Sequence, residues 1–182
     1  DQLRSDYIEL MQSKFGQGGF NRLMRDGAYF DNVNFKCPRV DAVAGTALLM
    51  TGAYPRVNGV PSAMTYNAEK RIPQHVLTDT RYMGNFTNET FSPMSLKVST
   101  LGDEVKLDNN GLGAVYAVAP DAQVALILAG HAANSAFWIS EATGNWATTT
   151  FYKDVPQSIQ TRNYGQSLAA KLDTLSWKPL LP

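Results

Sequence analysis

Few side chains in this sequence have the types and spacing that metal or nucleophilic chemistry requires. The two histidines, His75 and His131, are far apart, and neither has an acidic partner at metal-ligand spacing. The single cysteine, Cys37, is typical of a small buried residue at the end of a strand. Asp41 stands directly before an alanine-rich run, where an aspartate is typical of a helix N-cap. The residue pattern alone therefore indicates no complete metal site.

The length and composition describe one globular domain. The chain has 182 residues, which is enough for one substantial core, and its 16 basic and 16 acidic residues cancel. No basic block suggests nucleic-acid binding, and no charged amphipathic stripe suggests a membrane surface. The longest apolar run, Val124 to Gly130, is far shorter than the ~20 residues of a membrane span. We expect no nucleic-acid partner and no membrane span, and no signal peptide within the given residues.

The first part of the chain reads as helices around one strand. Apolar residues from Arg4 to Phe15 recur at helical spacing, and Phe20 to Asp26 predicts a second short helix that ends at a glycine. Alternation from Ala28 to Phe35 predicts a strand. Asp41 then predicts the start of a helix over Ala42 to Met50.

The middle of the chain is less regular. Residues 62–92 show no strong period and predict a long polar connection, with room for short strands or a lid. Ser92 followed by Pro93 is typical of a helix start, and the helix is expected to run to about Leu107.

The last part predicts buried strands, a hairpin and a final helix. The apolar run Ala114–Ala119 is typical of a parallel strand buried on both faces, and Leu126–Ala129 could be a second one. Ser135–Glu141 and Trp146–Tyr152 flank a four-residue turn and predict a β-hairpin. Tyr164–Leu175 is spaced as an amphipathic helix. Helices interleaved with buried strands predict an α/β fold.

Several blocks of sequence occur in the order found in one enzyme superfamily. The segment Gly18 to Val60 resembles the part of the alkaline phosphatase superfamily that carries the nucleophile, closest to the type I phosphodiesterase/nucleotide pyrophosphatase and phosphate-monoesterase branch. In that branch the loop before the second helix reads roughly P-T-V-T-A, where this chain has Pro38 to Ala42. Further matching blocks are Asp1–Tyr7, Thr51–Pro55, Asn58–Val60, Leu101–Glu104, Gly130–Asn134 and Ala142–Trp146.

The resemblance implies a layered fold with a mostly parallel sheet flanked by helices, plus a β-hairpin. It also implies two divalent metals, usually zinc, which lie ~4 Å apart and act on a phosphate ester. Of the metal ligands, only Asp1 falls inside this chain. The others resemble D-x-x-x-H and D-H pairs, which in the family lie beyond residue 182. We therefore interpret residues 1–182 as a single N-terminal fragment of a partial domain, and the remainder of the parent chain is an expected partner.

The resemblance also exposes departures at the positions that carry the chemistry. Asp41 occupies the nucleophile position, where the family has a threonine, and Ala42 is the alternative occupant because the loop is one residue longer. Neither has a hydroxyl. Asp41 is interpreted either as an N-cap or as a remodelled catalytic position, such as a metal ligand without a nucleophile. Thr46 is the nearest hydroxyl and is expected to be structural.

The positions that hold the phosphoryl group have also changed. Ser62 and Ala63 fall where phosphomonoesterases place an asparagine, and Ser62 could donate one hydrogen bond or be a simple turn residue. Pro120 and Ala122 fall where those relatives keep a lysine and an arginine. Diesterases of the family also lack that charged pair.

Three hypotheses follow for function. In the first, the chain is the N-terminal part of a metal-dependent phosphoric-ester hydrolase and is inactive alone. In the second, it is a catalytically degenerate member of the family that acts as a binding or structural domain. A small binding module of unrelated ancestry is the third. For the first, a phosphate-ester small molecule is the expected substrate, and zinc or another divalent metal is the expected cofactor of the intact protein. Whether this chain alone holds a metal stays open. A bacterial periplasmic or secreted location is what the resemblance implies.

Overall fold

The computed structural model describes residues 3–37, 40–153, 155–165 and 171–178. Contacts between residues divide the chain into two compact units, 1–38 and 39–182.

The described part of the first unit, residues 3–37, contains two short helices. Helix α1 spans Ser5–Met11 and continues as a 3₁₀ turn over Gln12–Lys14, and helix α2 spans Phe20–Asp26. Both helices confirm the sequence prediction. The strand predicted from Ala28 to Phe35 is wrong, because this segment pairs with no other strand among the described residues. Alternation alone does not make a strand without a hydrogen-bonded neighbour.

The second unit is built on a mixed sheet and a separate hairpin. Strands β1 and β2 form the two-stranded hairpin, and the larger sheet has the order β3-β6-β5-β4, in which β4 runs parallel to β5 and the other neighbours are antiparallel. The predicted α/β class and the predicted hairpin, now β5 and β6, are confirmed. The strands span Met64–Asn67 (β1), Ile72–His75 (β2), Gly84–Asn85 (β3), Tyr116–Val118 (β4), Ser135–Ile139 (β5) and Trp146–Thr149 (β6).

Five helices lie within the described residues of the same unit. Helix α6 packs against α3, β4 and β5, and six of its eight residues are buried. The core is formed by α3, α6 and the sheet, with Leu126, Ile127 and Trp138 almost completely buried. The helices span Ala42–Thr51 (α3), Pro55–Asn58 (α4), Leu101–Asp108 (α5), Ala122–Ala129 (α6) and Gln157–Gly165 (α7).

The prediction of a strand at Leu126–Ala129 is wrong. Asp121 accepts a hydrogen bond from the Val124 amide at 2.9 Å and starts a helix, so the whole apolar run becomes the buried helix α6. A short run of apolar residues does not distinguish a buried strand from a buried helix, and the cap decides here.

Strand β4 differs from the prediction in its burial. Ala117 is buried, but Tyr116 and Val118 are 46% and 59% exposed, so only one face of the strand meets the core. The expectation of burial on both faces is therefore wrong for the described part of the chain.

The helix predicted from Ser92 to Leu107 is two elements. Ser92 caps a 3₁₀ turn over Pro93–Ser95, and α5 starts separately at Leu101. The reason is a second cap, because the Thr100 side chain accepts from the Asp103 amide and the Asp103 side chain accepts from the Thr100 amide.

Two further predictions differ in detail. The last helix begins at Gln157, before the predicted Tyr164, and residues 166–170 of the predicted span lie outside the described residues. Cys37 is half-buried and follows no strand, because the strand expected before it does not form.

Candidate functional site

Asp41 begins helix α3 from extended backbone, with φ −85° and ψ 176°. Its Oδ1 accepts a hydrogen bond from the Ala44 amide at 2.8 Å. That geometry is an N-cap, in which a side-chain oxygen satisfies one of the amides at the start of the helix. The cap predicted from the sequence is therefore present.

The second oxygen of Asp41 joins the helix to a distant loop. Oδ2 accepts hydrogen bonds from the Ser62 hydroxyl at 2.7 Å and from the Ala63 amide at 2.7 Å. Two residues singled out from the sequence, Asp41 and Ser62, thus lie in direct contact although they are 21 positions apart. Together with the bond from Ala44, the carboxylate accepts three hydrogen bonds and ties α3 to the loop before β1.

These contacts set the charge state of Asp41. Partial burial raises the pKa of the carboxyl, but the hydrogen bonds from Ala44, Ala63, Ser62 and Val43 outweigh it and lower the pKa below its ordinary value of 3.8. Asp41 is therefore ionised at neutral pH. A carboxylate with a lowered pKa is a weak base, so it has little tendency to take the proton of the Ser62 hydroxyl.

No other side chain at the start of α3 replaces the missing hydroxyl. Ala42 has none, and the Thr46 hydroxyl donates to the Ala42 carbonyl at 2.7 Å inside the helix. This supports the structural role expected for Thr46. Asp41, which the resemblance leads us to expect at the nucleophile position, is a carboxylate that accepts hydrogen bonds from its own fold.

The N-terminus of α6 meets the same region through a chain of hydrogen bonds. The Val76 amide donates to the Ala63 carbonyl at 3.0 Å, which continues the β1–β2 ladder. Gln123, in the first turn of α6, has its amide nitrogen 3.0 Å from His75 Nδ1. Hydrogen bonds therefore link the start of α3, the β1–β2 hairpin and the start of α6. The sequence did not predict the Gln123–His75 contact, because the two residues are 48 positions apart.

The positions flanking the cap of α6 carry no charge that could reach a ligand. Pro120 has no ionisable group, and Ala122 is 6% exposed. Asp121 between them is the helix cap. A charge-assisted hydrogen bond to a phosphoryl oxygen is therefore not available from these two positions.

The described residues do not form a metal site of their own. Among residues 3–37, 40–153, 155–165 and 171–178, no three histidine, cysteine, aspartate or glutamate side chains cluster at ligand distance. Asp1, the metal ligand implied by the resemblance, lies outside the described residues. The donor set of this part of the chain therefore does not fit a zinc ion held by three protein ligands.

His131 is engaged in a structural contact. Its Nδ1 lies 3.1 Å from Asp103 Oδ2 and its Nε2 lies 3.2 Å from the Leu96 carbonyl oxygen. The hydrogen bond to Asp103 raises the pKa of His131, although burial opposes it. This arrangement gives His131 a structural role, since both ring nitrogens face acceptors inside the fold.

The aromatic residues of the β5–β6 hairpin are also used in packing. Trp138 is 1% exposed and donates its indole N–H to Glu89 at 2.8 Å. The Tyr152 hydroxyl donates to the Gly130 carbonyl. Both aromatic side chains are therefore used in packing and in hydrogen bonds within the fold.

Comparison with known families decides the ancestry of the chain. The family model described as "Type I phosphodiesterase / nucleotide pyrophosphatase" matches residues 1–178. The chain belongs to this family. The resemblance inferred from the sequence is confirmed, and the third hypothesis, of unrelated ancestry, is excluded.

Two curated relatives are alkaline phosphatases by name. The chain is 30% identical over 188 residues to alkaline phosphatase PafA of Elizabethkingia meningoseptica and 28% identical over 186 residues to alkaline phosphatase PhoV of Synechococcus elongatus. Each match covers 100% of this chain and 34% of the relative, so the chain spans about a third of their length.

Solved structures agree with the sequence comparisons. The crystal structure of wild-type PafA is 28% identical, superposes with a TM-score of 0.88, and is covered to 36% of its length by the whole of this chain. A PafA mutant with four substitutions matches with the same TM-score of 0.88.

None of the helices in the described part of this chain has the length and apolar content that crossing a bilayer requires.

Proposed function

We propose that this chain is the N-terminal part of a metal-dependent phosphoric-ester hydrolase domain, and that these residues alone do not hydrolyse phosphate esters. One observation carries the second half of the proposal. The carboxylate of Asp41 accepts three hydrogen bonds, from the amides of Ala44 and Ala63 and from the hydroxyl of Ser62. It is a clamp between helix and loop, and attack on phosphorus would require releasing it from those donors.

Ser62 is the hydroxyl closest to Asp41, but the pair does not resemble an activated nucleophile. An efficient general base has a pKa near the operating pH, whereas the hydrogen bonds on Asp41 lower its pKa further below 3.8. The short Ser62–Asp41 bond supports a positioning role for the hydroxyl, which holds the loop against α3.

A second candidate function is a catalytically degenerate family member that acts as a binding or structural domain. The uncharged positions Pro120 and Ala122 favour it, because losing phosphoryl-binding charges together with the nucleophile is more than a change of substrate class. Diesterases of the family lack that charged pair yet keep the nucleophile, so Asp41 is the more serious loss.

The two candidates differ in what the complete protein would do. A hydrolase needs zinc or another divalent metal, and the described residues of this chain do not supply a full set of ligands. The remaining ligands, the phosphate-ester substrate and a periplasmic or secreted location are therefore proposals for the longer protein. The rest of the parent chain is the first partner proposed for these residues.

The experiment is an initial-rate assay with p-nitrophenyl phosphate and its bis-ester in added zinc. The samples are the 182-residue chain, the full-length protein that carries it, and the Asp41→Thr variant of each. We expect no turnover above a zinc-only blank from the chain. Turnover by the unaltered full-length protein favours the hydrolase, and turnover by the unaltered 182-residue chain refutes the proposal.

The Asp41→Thr variant separates the candidates further. Strong activity on restoring the hydroxyl means that only the nucleophile was lost, and it favours a hydrolase ancestry with an otherwise intact site. We expect at most weak rescue, because Pro120 and Ala122 remain unable to stabilise transition-state charge.

A further inference from the structure

His75 lies between the two loops that hold the altered phosphoryl-binding positions. In the β1–β2 ladder it is directly opposite Met64, two residues after Ser62. On its other side, its ring contacts Gln123, the residue after Ala122. Opposed residues of antiparallel strands are about 4.5–5.5 Å apart between Cα atoms. His75 therefore lies beside Met64 and Gln123, which are near Ser62 and Ala122 in the sequence.

The amide of Gln123 has only one orientation that satisfies its neighbours. Gln123 is 2% exposed, and its Oε1 accepts a hydrogen bond from the Leu77 amide at 3.3 Å. A flipped amide would place its NH₂ group against the Leu77 N–H, which is a clash of two donors. The backbone amide therefore fixes Gln123 with its NH₂ toward His75.

This orientation fixes the tautomer of His75. The NH₂ of Gln123 donates to Nδ1 at 3.0 Å, so Nδ1 must accept and the proton of the neutral ring resides on Nε2. Phe91 packs edge-on against the same ring, with centroids 5.4 Å apart and an interplanar angle of 77°. The ring is thus held in place while the residue as a whole stays exposed.

We propose that His75 is a ligand-contacting residue that presents its Nε2–H to an acceptor oxygen at this site. The ligand class is an oxyanion such as a phosphate or phosphate ester, and for that class the inference rests on the proposed function. No bond is made or broken, since His75 contributes one neutral hydrogen-bond donor. It is a weaker donor than the lysine and arginine that the resemblance leads us to expect at the positions of Pro120 and Ala122.

The contacts of His75 explain why one neutral donor can matter here. The donor is pre-oriented, because Gln123 selects the tautomer and Phe91 restricts the ring, so little ordering is needed when an oxyanion binds. Gln123 is then a positioning residue that acts through His75. Its conservative variant Gln123→Glu should reverse the contact, because a carboxylate accepts a hydrogen bond and therefore favours a proton on Nδ1.

The first test is the tautomer, measured by NMR of the ¹⁵N-labelled histidines. The chain has only two histidines, so His131 serves as an internal control. We expect an Nε2–H, Nδ1-acceptor pattern for His75 at neutral pH, and a protonated Nδ1 in Gln123→Glu with His131 unchanged. A protonated Nδ1 in the unaltered chain overturns the proposal.

The second test is a titration with inorganic phosphate and p-nitrophenyl phosphate. We expect the Nε2 signal of His75 to move with saturable binding while the His131 signals stay, and His75→Ala to weaken the Kd by roughly five- to tenfold. Saturable phosphate binding that leaves the His75 signals and the His75→Ala affinity unchanged refutes the role, and so does the absence of binding.

The outcome is separable from the proposed function. Turnover by the chain would refute the lack of hydrolysis, yet His75 would still be tested by the KM of His75→Ala. If hydrolysis is absent and phosphate binds without involving His75, the proposed function stands and this inference fails.

Discussion

Removing the carboxylate of Asp41 should cost more stability than removing an ordinary helix cap. Asp41→Ala deletes the cap bond to Ala44, which is worth about 1 kcal/mol. It also deletes the bonds from Ser62 and the Ala63 amide to an ionised, half-buried group, which contribute about 1 kcal/mol each. We therefore expect the free energy of unfolding to fall by about 3 kcal/mol.

A matched control is available in the same unit of the chain. Asp121 caps α6 by accepting one hydrogen bond from the Val124 amide, and its carboxylate accepts no second hydrogen bond from the described residues. Asp121→Ala should cost about 1 kcal/mol, the usual value for a cap. The excess of about 2 kcal/mol for Asp41→Ala then measures the clamp to the loop before β1.

The assay is urea unfolding followed by tryptophan fluorescence, with both variants measured beside the unaltered chain. A double-mutant cycle of Asp41→Ala and Ser62→Ala should show a coupling of about 1 kcal/mol, because the two side chains bond each other. Equal losses for Asp41→Ala and Asp121→Ala, together with no coupling, would refute the clamp. Asp41 would then be an ordinary cap whose second oxygen is free for other chemistry.

Two further predictions concern the contact between α5 and the end of α6. Gly130 has φ +74°, and an added methyl group would overlap Thr100 Oγ1 and lie 2.6 Å from Asp103 Oδ2. Gly130→Ala should therefore lower the unfolding free energy by at least about 3 kcal/mol. Gly52 has φ +64° but open space around it, so Gly52→Ala should lower the unfolding free energy by about 1 kcal/mol. Equal losses in urea unfolding would contradict this. The His131–Asp103 pair should make stability depend on pH at both ends. Burial raises the pKa of Asp103, but the hydrogen bonds from His131 and from backbone amides outweigh it and lower the pKa to about 2. The contribution of Asp103 to stability is therefore present above pH 3.8 and is lost as the pH falls towards 2. His131 has a raised pKa, so its contribution is complete below 6.5 and is lost as pH rises through the raised value. Unfolding free energies measured across this range should drop at both ends, and the alkaline drop should vanish in His131→Gln; a flat alkaline side in the unaltered chain would contradict the assignment.

Local sequence signals correctly predicted where some helices begin and end. Asp41 before Ala42 and Gly27 after Asp26 mark helix ends through contacts within one turn, and both were readable without the fold. The same logic applied to Asp121 would have identified α6, since the cap precedes eight helical residues. The apolar character of that run misled the prediction, because burial on all sides suits a central helix as well as a strand.

Long-range contacts could not be predicted. The Asp41–Ser62 bond joins residues 21 positions apart, and the Gln123–His75 bond joins residues 48 positions apart. Neither leaves a periodic or spacing signal in the sequence. The resemblance drew attention to Asp41 and Ser62 separately, but their mutual contact depends on how the loop before β1 returns to the start of α3.

The strand predicted from Ala28 to Phe35 shows a different limit. Its alternation is compatible with a strand, but a strand exists only through pairing with a neighbour, and none pairs with it among the described residues. Strand formation is a property of two segments, and one segment carries only half of the information.

The central claim is that Asp41 is a structural clamp and does not attack phosphorus. The most direct measurement is acid-quenched mass spectrometry of the chain after mixing with p-nitrophenyl phosphate and zinc, with peptide mapping across Asp41. We expect Asp41 to be recovered unmodified, in the unaltered chain and in Ser62→Ala alike. An acyl phosphate trapped on Asp41 and formed as p-nitrophenolate is released would contradict the account.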